Sequence, residues 1–241
     1  MAKVHILLQG KGGVGKSMVA AWIAQELTEK GAAPFCIDTD PVNSTFYGYK
    51  SLNVARLELM EDNDINPRAF DTMIEMIVKA EGDVVIDNGA ASFVPLAHFI
   101  ISNNIPDLLK QYGHELIIHT VITGGQALLD TVSGFSQLAQ QLPVDTPFIV
   151  WLNPFWGPIE DGGKSFQDMK AYKTNKDRIT AIVQIPKLKK ETAGRDLSEM
   201  LQARMTFKEA ISSPDSSVMT KHRLEILKGN LSFEMENAVI F

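Results

Sequence analysis

Eight residues near the start of the chain, Gly10-Lys11-Gly12-Gly13-Val14-Gly15-Lys16-Ser17, have the types and spacing to hold phosphate. Gly10, Gly12 and Gly15 satisfy G-x-G-x-x-G, a dinucleotide fingerprint. The same run taken to its end is G-x-x-x-x-G-K-S, a mononucleotide P-loop. Both readings place the loop between a strand and a helix. Both use a row of backbone N–H groups at a helix N-terminus to attract an anion. They differ in chemistry, hydride transfer against phosphoryl transfer.

Asp38 ends an apolar run 23 residues after Gly15, roughly where a ribose-binding acid would sit. Three features favour the mononucleotide reading instead. Lys16 and Ser17 follow Gly15 directly, as a P-loop requires for the β/γ-phosphates and for Mg²⁺. Asp87 ends the apolar run DVVID, the place of a Walker-B acid that holds the metal. The segment Asp38-Thr39-Asp40-Pro41 carries two acids, and one ribose needs only one.

Short apolar runs alternate with helical patterns, as in a parallel sheet covered on both faces. Strands are expected at residues 4–9, 34–38, 83–87, 115–123, 147–153 and 179–186. Helices are expected at 18–30, stopped by Gly31, and after an Asn66-Pro67 cap. More follow across 93–112 with a break near Pro106, at 126–142, around 165–173, and from about Asp196 onward. The expectation is one α/β domain spanning residues 1–241: a mostly parallel twisted sheet flanked by helices on both faces, with a helical C-terminal part.

The form K-G-G-x-G-K-S, with its early lysine at Lys11, resembles the deviant Walker-A ATPases, which include ParA- and MinD-like proteins. The resemblance implies an ATP-bound homodimer in which Lys11 reaches across to the other copy's phosphates, where negative charge builds up. IDTDPVNS resembles that family's switch I, usually D-x-D-P-Q-x-N, with Val42 in place of glutamine. It assigns Asp40 to the attacking water and Asp38 to the neighbourhood of Mg²⁺. DVVIDNGAAS resembles switch II, with Asn88-Gly89-Ala90 where the family often has Asp-x-Pro-Pro. VWLNPF gives Asn153 as the reader of the adenine edge, and QIP gives Pro186 as a wall of the base pocket. The expected nucleotide contacts are Gly10, Lys11, Gly12, Gly13, Val14, Gly15, Lys16, Ser17, Met18, Asn153 and Pro186, with Ser17, Asp38 and Asp87 around the metal. Longer stretches such as GYKSLNV and VITGGQALLDTVSGF resemble plasmid conjugal-transfer proteins. That implies a protein partner in the conjugation machinery, beside a type IV secretion apparatus.

Composition narrows the branch. The chain is 45% hydrophobic and 22% charged, ordinary globular values, with a formal net charge of −6 that disfavours wholesale coating by nucleic acid. A single cysteine, Cys36, excludes an iron–sulfur cluster held by two cysteines per subunit, and suits a reducing cytoplasm. No apolar run reaches the roughly 18 residues of a membrane helix. The ending SFEMENAVIF lacks a cationic amphipathic face, so no membrane insertion is expected. Two basic clusters, Lys187/Lys189/Lys190/Arg195 and Lys221/His222/Arg223/Lys228, leave direct DNA binding open. Five scattered histidines have no metal-ligand spacing; His5 and His119 fall within strands, and Leu224, Leu227 and Leu231 are expected in the core. Phe155 and Trp156, after the Asn153 strand, suit either a docked partner or packing over the base. The sequence therefore leads to a slow Mg²⁺-dependent ATPase binding ATP/ADP. A nucleotide-gated binding module with negligible hydrolysis, a partition-type DNA-associated ATPase and a small-molecule kinase are the alternatives.

Overall fold

The computed structural model describes residues 1–62 and 64–238, so the end of SFEMENAVIF, residues 239–241, lies outside the described residues. Eleven strands are described: β1 (Ala2–Leu7), β2 (Phe35–Asp38), β3 (Ala55–Arg56), β4 (Met60–Glu61), β5 (Asp64–Ile65), β6 (Val84–Asp87), β7 (His114–Thr123), β8 (Phe148–Asn153), β9 (Glu160–Asp161), β10 (Lys164–Ser165) and β11 (Ile179–Gln184). Seven of them form one sheet in the order β11-β8-β7-β1-β6-β2-β3, and every pairing in it is parallel. The remaining four make two short antiparallel ribbons. The helices are α1 (Lys16–Glu29), α2 (Arg68–Val78), α3 (Phe93–Ser102), α4 (Ile105–Gln111), α5 (Leu128–Gln141), α6 (Lys170–Asn175), α7 (Ala193–Gln202), α8 (Phe207–Ser212) and α9 (Val218–Asn237). Among the described residues, no helix is long and apolar enough to cross a membrane.

A parallel sheet is covered on both faces, so its strands are apolar on both sides rather than alternating. β1 illustrates this. Val4, Ile6 and Leu8 enter a core with residues of α2 to α5, while Leu7 enters a second core with α1, α7, α8 and α9. Helix α1 runs between the sheet and the C-terminal helices, and every residue from Val19 to Leu27 is buried. Its Trp22 stacks on Phe207 at 6.4 Å between ring centroids, and Gln25 Oε1 accepts the Phe207 N–H at 2.7 Å. Leu224, Leu227 and Leu231 close this core, as their spacing predicts. The Cys36 thiol is buried in β2, which pushes its pKa up to about 12 and keeps it inert.

Several boundaries differ from the sequence expectation by one or two residues, for local reasons. Asn66 does cap α2, its Oδ1 accepting the Arg68 N–H at 2.9 Å, but the helix starts at Arg68. The break expected near Pro106 falls at Asn103–Asn104, where Asn104 has φ 47°. Pro106 lies within the first turn of α4, where its missing N–H costs nothing. The helix expected around 165–173 is a 3₁₀ turn, Phe166–Asp168, followed by α6. Strand β3 and the two ribbons were not expected. At two residues per strand they are too short to show a period in sequence.

Three neighbouring central strands bury a hydrogen-bonded chain of rings. Trp151 Nε1–H donates to His119 Nδ1 at 3.0 Å, and His119 Nε2 lies 2.9 Å from His5 Nδ1. An indole only donates, so His119 carries its proton on Nε2 and passes the polarity on to His5. His5 Nε2 then carries the last proton, buried without a partner. Burial, helped by Lys3, holds His5 down at about 3, and burial also holds His119 well below the ordinary value. Both rings are neutral in the folded protein and gain protons on unfolding. Their contribution is therefore intact above about pH 6.5 and is lost as the pH falls toward the folded values. The stability difference between His5→Leu and the parent, measured by urea denaturation, should shift by roughly 2 kcal/mol in the variant's favour from about pH 6.5 to about pH 5. The difference cancels the titrating groups that do not contact His5.

Candidate functional site

Parallel pairing brings the carboxyl ends of three strands level. Leu7 on β1 lies opposite Asp87 on β6, and Asp87 lies opposite Asp38 on β2. The strand order reverses direction about β1, and loops beyond such a switch point form a crevice. The loop from β1 into α1 is the glycine-rich run. Gly15 has φ 107°, and a Cβ there would lie 3.1 Å from Asn153 Nδ2, so a side chain would be both strained and crowded.

Lys16 is buried, and its Nζ donates to the Lys11 carbonyl at 3.0 Å across the loop. Asp87 is buried too, and neither of its carboxylate oxygens has a hydrogen-bond partner of good geometry. Burial pushes the Asp87 carboxyl up, while the Ser17 hydroxyl and the Lys16 ammonium pull it down. Burial pushes Lys16 down, while Asp87 and Asp40 pull it up. A lysine and an orphaned carboxylate thus face each other across Ser17. A buried charge without full pairing is expensive, which makes this a place where an incoming cation and an incoming anion are both stabilised. Among the described residues, no three His, Cys, Asp or Glu side chains converge as a metal cage.

The acids after β2 tie down their own loop. Asp38 Oδ1 accepts the Asp40 N–H at 2.9 Å, and its Oδ2 accepts the Tyr47 N–H at 2.8 Å. Burial raises the Asp38 pKa, and these two amides moderate the rise. Asp40 Oδ1 accepts from Val42 N at 2.9 Å and from Asn43 N at 3.1 Å. Asp40 also packs on Gly89, where a Cβ would come within 2.6 Å of Oδ1. The Asn88-Gly89 departure from the family pattern thus has a steric reason, since only glycine admits Asp40 so closely. Asn88 Oδ1 accepts the Ser92 hydroxyl at 2.7 Å and lies 3.2 Å from Thr39 Oγ1, closing the two switch segments together.

Asn153 ends β8 and is held by the loop it was expected to sit beside. Its Nδ2 donates to the Val14 carbonyl at 2.9 Å, and its Oδ1 accepts the Phe155 N–H at 3.2 Å. One amide proton and one lone pair remain for a base edge. Lys11 lies on the surface, about half exposed, with Nζ 2.8 Å from Asp130 Oδ2 in the first turn of α5.

The loop and strand ends open onto one cleft of about 1390 Å³, larger than the usual range of a small-molecule pocket. Gly12, Gly13, Gly15, Lys16, Ser17, Met18, Asp40, Asn153 and Pro186 all face it. Gly10, Lys11, Val14, Asp38 and Asp87 do not line it. Of these, Val14, Asp38 and Asp87 are buried behind it. Sequence reasoning missed two contributors, Asp130 and Arg204, and left the contacts of Trp156 open. Asp130 holds Lys11, and nothing in VITGGQALLD marks it. Arg204, left-handed at φ 55° just after α7, donates to the Thr45 carbonyl at 3.1 Å and so clasps the loop that follows Asp40. Trp156 donates from Nε1 to the Gly13 carbonyl at 3.2 Å and meets Phe155 edge-to-face at 4.9 Å, with both rings more than half exposed. The basic clusters are partly spent on internal pairs: Arg195 with Glu199, Arg223 with Asp196, and Lys228 with Glu29.

Comparison with known proteins agrees with this geometry. A family model described as the CobQ/CobB/MinD/ParA nucleotide binding domain matches residues 6–213. Two proteins from Escherichia coli, each named Protein TraL, are 62% and 60% identical over 240 residues, covering 100% of this chain and of each relative. The MinD cell division protein of Aquifex aeolicus superposes with a TM-score of 0.54 at 16% identity, covering 95% of this chain and 98% of that one. A putative plasmid partition protein from Borrelia burgdorferi B31 bound to AMPPNP gives 0.52 at 14% identity, covering 98% and 99%. At such identities the two structures speak for the fold alone. By sequence over most of its length and by fold, the chain belongs to the CobQ/CobB/MinD/ParA nucleotide-binding domain family.

Proposed function

We propose that this protein is a Mg²⁺-dependent ATPase that dimerises around ATP and times the action of a partner in plasmid conjugative transfer. The observation that carries the reading is the buried Asp87, with neither oxygen in a well-formed hydrogen bond, set behind the cleft within the influence of Ser17 and Lys16. The transfer role, beside a type IV secretion apparatus in the cytoplasm, rests on the full-length likeness to Protein TraL.

The P-loop amides and Lys16 bind the β- and γ-phosphates. Ser17 and Asp87 hold Mg²⁺, with Asp38 as a second acid near it. The metal supplies charge neutralisation at the phosphates. Asp40 orients the attacking water, and its carboxylate is already fixed by the Val42 and Asn43 amides and by the wall at Gly89. Lys11 crosses to the second copy. Its pair with Asp130 is a half-exposed surface pair, worth at most about 1 kcal/mol, so releasing it costs little. Asn153 selects adenine against the Pro186 wall. A second reading, a nucleotide-gated module with negligible turnover, is favoured by the same Asp40 contacts, since both loop amides bind Oδ1 and leave only the other oxygen to orient water.

Mass in solution tests the dimer. A non-hydrolysable ATP analogue with Mg²⁺ should give a dimer, and ADP should not. Lys11→Ala should abolish the ATP-dependent dimer, whereas Asp130→Ala should tighten it by up to about fivefold, the equivalent of roughly 1 kcal/mol. Single-turnover hydrolysis separates the two readings, because phosphate release no faster than that of Asp40→Ala would leave only the binding module. Trp156 gives a direct optical report. Trp22 and Trp151 are buried, so a change in tryptophan emission on adding ATP and Mg²⁺ should disappear in Trp156→Phe while affinity changes little.

A further inference from the structure

Four non-glycine residues are left-handed among the described residues. Three of them, Asn53, Asp62 and Asn104, are of the types that tolerate this backbone. The fourth is Arg204, at φ 55°. It follows Ala203, the C-cap of α7. Its own N–H bonds to the Leu201 carbonyl at 3.2 Å, and the Met205 N–H bonds to the Met200 carbonyl at 3.1 Å. That is the Schellman ending, in which glycine ordinarily takes the left-handed place. Arginine there carries a backbone cost that glycine would avoid, so what the position gains is the side chain. The stem lies over Gly48, where a Cβ would come within 3.1 Å of Arg204 Cγ. The guanidinium donates from Nη1 to the Thr45 carbonyl at 3.1 Å. Burial pushes the neighbouring Tyr49 hydroxyl up to about 12, and the Arg204 charge moderates that rise.

Thr45 lies in the loop that Asp40 opens. None of residues 41–45 is buried, and Phe46 behind them enters the core. Asp40 Oδ1 holds the Val42 and Asn43 amides, and Asp38 Oδ2 holds the Tyr47 amide. These bonds are internal to the segment. Among the described residues, the one hydrogen bond that reaches residues 41–45 from outside 38–49 is that of Arg204. We infer that Arg204 is a positioning residue for Asp40: by fixing the Thr45 carbonyl it holds the loop so that the Asp40 carboxylate stays against Gly89. The chemical consequence rests on the ATPase reading. A loop tied only to itself pivots, and each conformer that lifts Asp40 from Gly89 takes its carboxylate out of line with the attacking water. Hydrolysis then slows, while the glycine-rich loop keeps its grip on the phosphates. The corner between α7 and α8 makes a second tie beyond the loop, where the Ser51 hydroxyl donates to Glu209 Oε2 at 3.1 Å. That tie does not touch 41–45, so it serves as a control.

Hydrogen exchange of the full chain without nucleotide, read at short labelling times on residues 41–47, tests the hold itself. Arg204→Gly removes the side chain and suits the left-handed backbone, so its thermal midpoint should be no lower than the parent's. Exchange at 41–47 should nevertheless rise by about fivefold or more, the effect of one lost hydrogen bond. Arg204→Lys keeps a stem and a donor and should recover part of the protection. Ser51→Ala should leave 41–47 unchanged. Single-turnover hydrolysis with Mg²⁺ tests the consequence. Arg204→Gly should slow phosphate release by at least about tenfold while ATP affinity shifts by less than about twofold. A parent that releases no phosphate overturns the ATPase reading and not the hold, which exchange decides alone. Unchanged exchange in Arg204→Gly would overturn the inference. So would an equal rise in Ser51→Ala, which would assign the hold to the packing of the corner. A loss of ATP affinity with exchange unchanged would overturn it in favour of a direct contact between Arg204 and the nucleotide.

Discussion

Asp87 carries a carboxylate into the centre of the molecule, where the Ser17 hydroxyl and the Lys16 ammonium are close but neither oxygen makes a well-formed hydrogen bond. A buried carboxylate without partners would ordinarily be removed or neutralised. Here the surroundings are arranged around it. Lys16 supplies the opposite charge from the first turn of α1, and Ser17 supplies a hydroxyl. Parallel register with β1 and β2 fixes the strand end so that both are in reach. The lysine in turn bends back to the Lys11 carbonyl, which holds the loop in a closed ring of its own. The pair is incompletely compensated in the free protein, and that deficit is what a bound anion and cation would relieve in the proposed nucleotide site.

The supports of this centre come from both sheet faces. On one side, α5 places Thr131 and Asp130 near the loop, and Gln9 bridges β1 to the Val121 and Thr131 carbonyls at 3.1 Å each. On the other, α1 is buried along nearly its whole length and is clamped by α8 and α9. Arg204 reaches from the end of α7 to the loop after β2. Movement of that loop would therefore be felt at α7, a physical link between the phosphate site and the C-terminal helices.

The parts of this arrangement legible in sequence are those in which one short segment does the whole task. The glycine-rich run, the apolar strands ending in Asp38 and Asp87, and the core leucines of α9 needed no partner to be recognised. Asn153 was singled out at the end of its strand, but its tie to the Val14 carbonyl was not, because backbone carbonyls leave no trace in residue identity. Asp130, Arg204 and the His5–His119–Trp151 chain each join elements more than 30 residues apart. Each is an unremarkable polar residue until the sheet order is known. Strand β3 is two residues long and exists only because β2 offers an edge.

Helix α9 shows the same limit from another direction. Periodicity separates a core face from a solvent face only when the solvent face is polar. With Leu224, Leu227 and Leu231 on one side and Met219, Ile226 and Phe233 on another, the leucines read as core, but the outer stripe does not stand out until burial sets it apart.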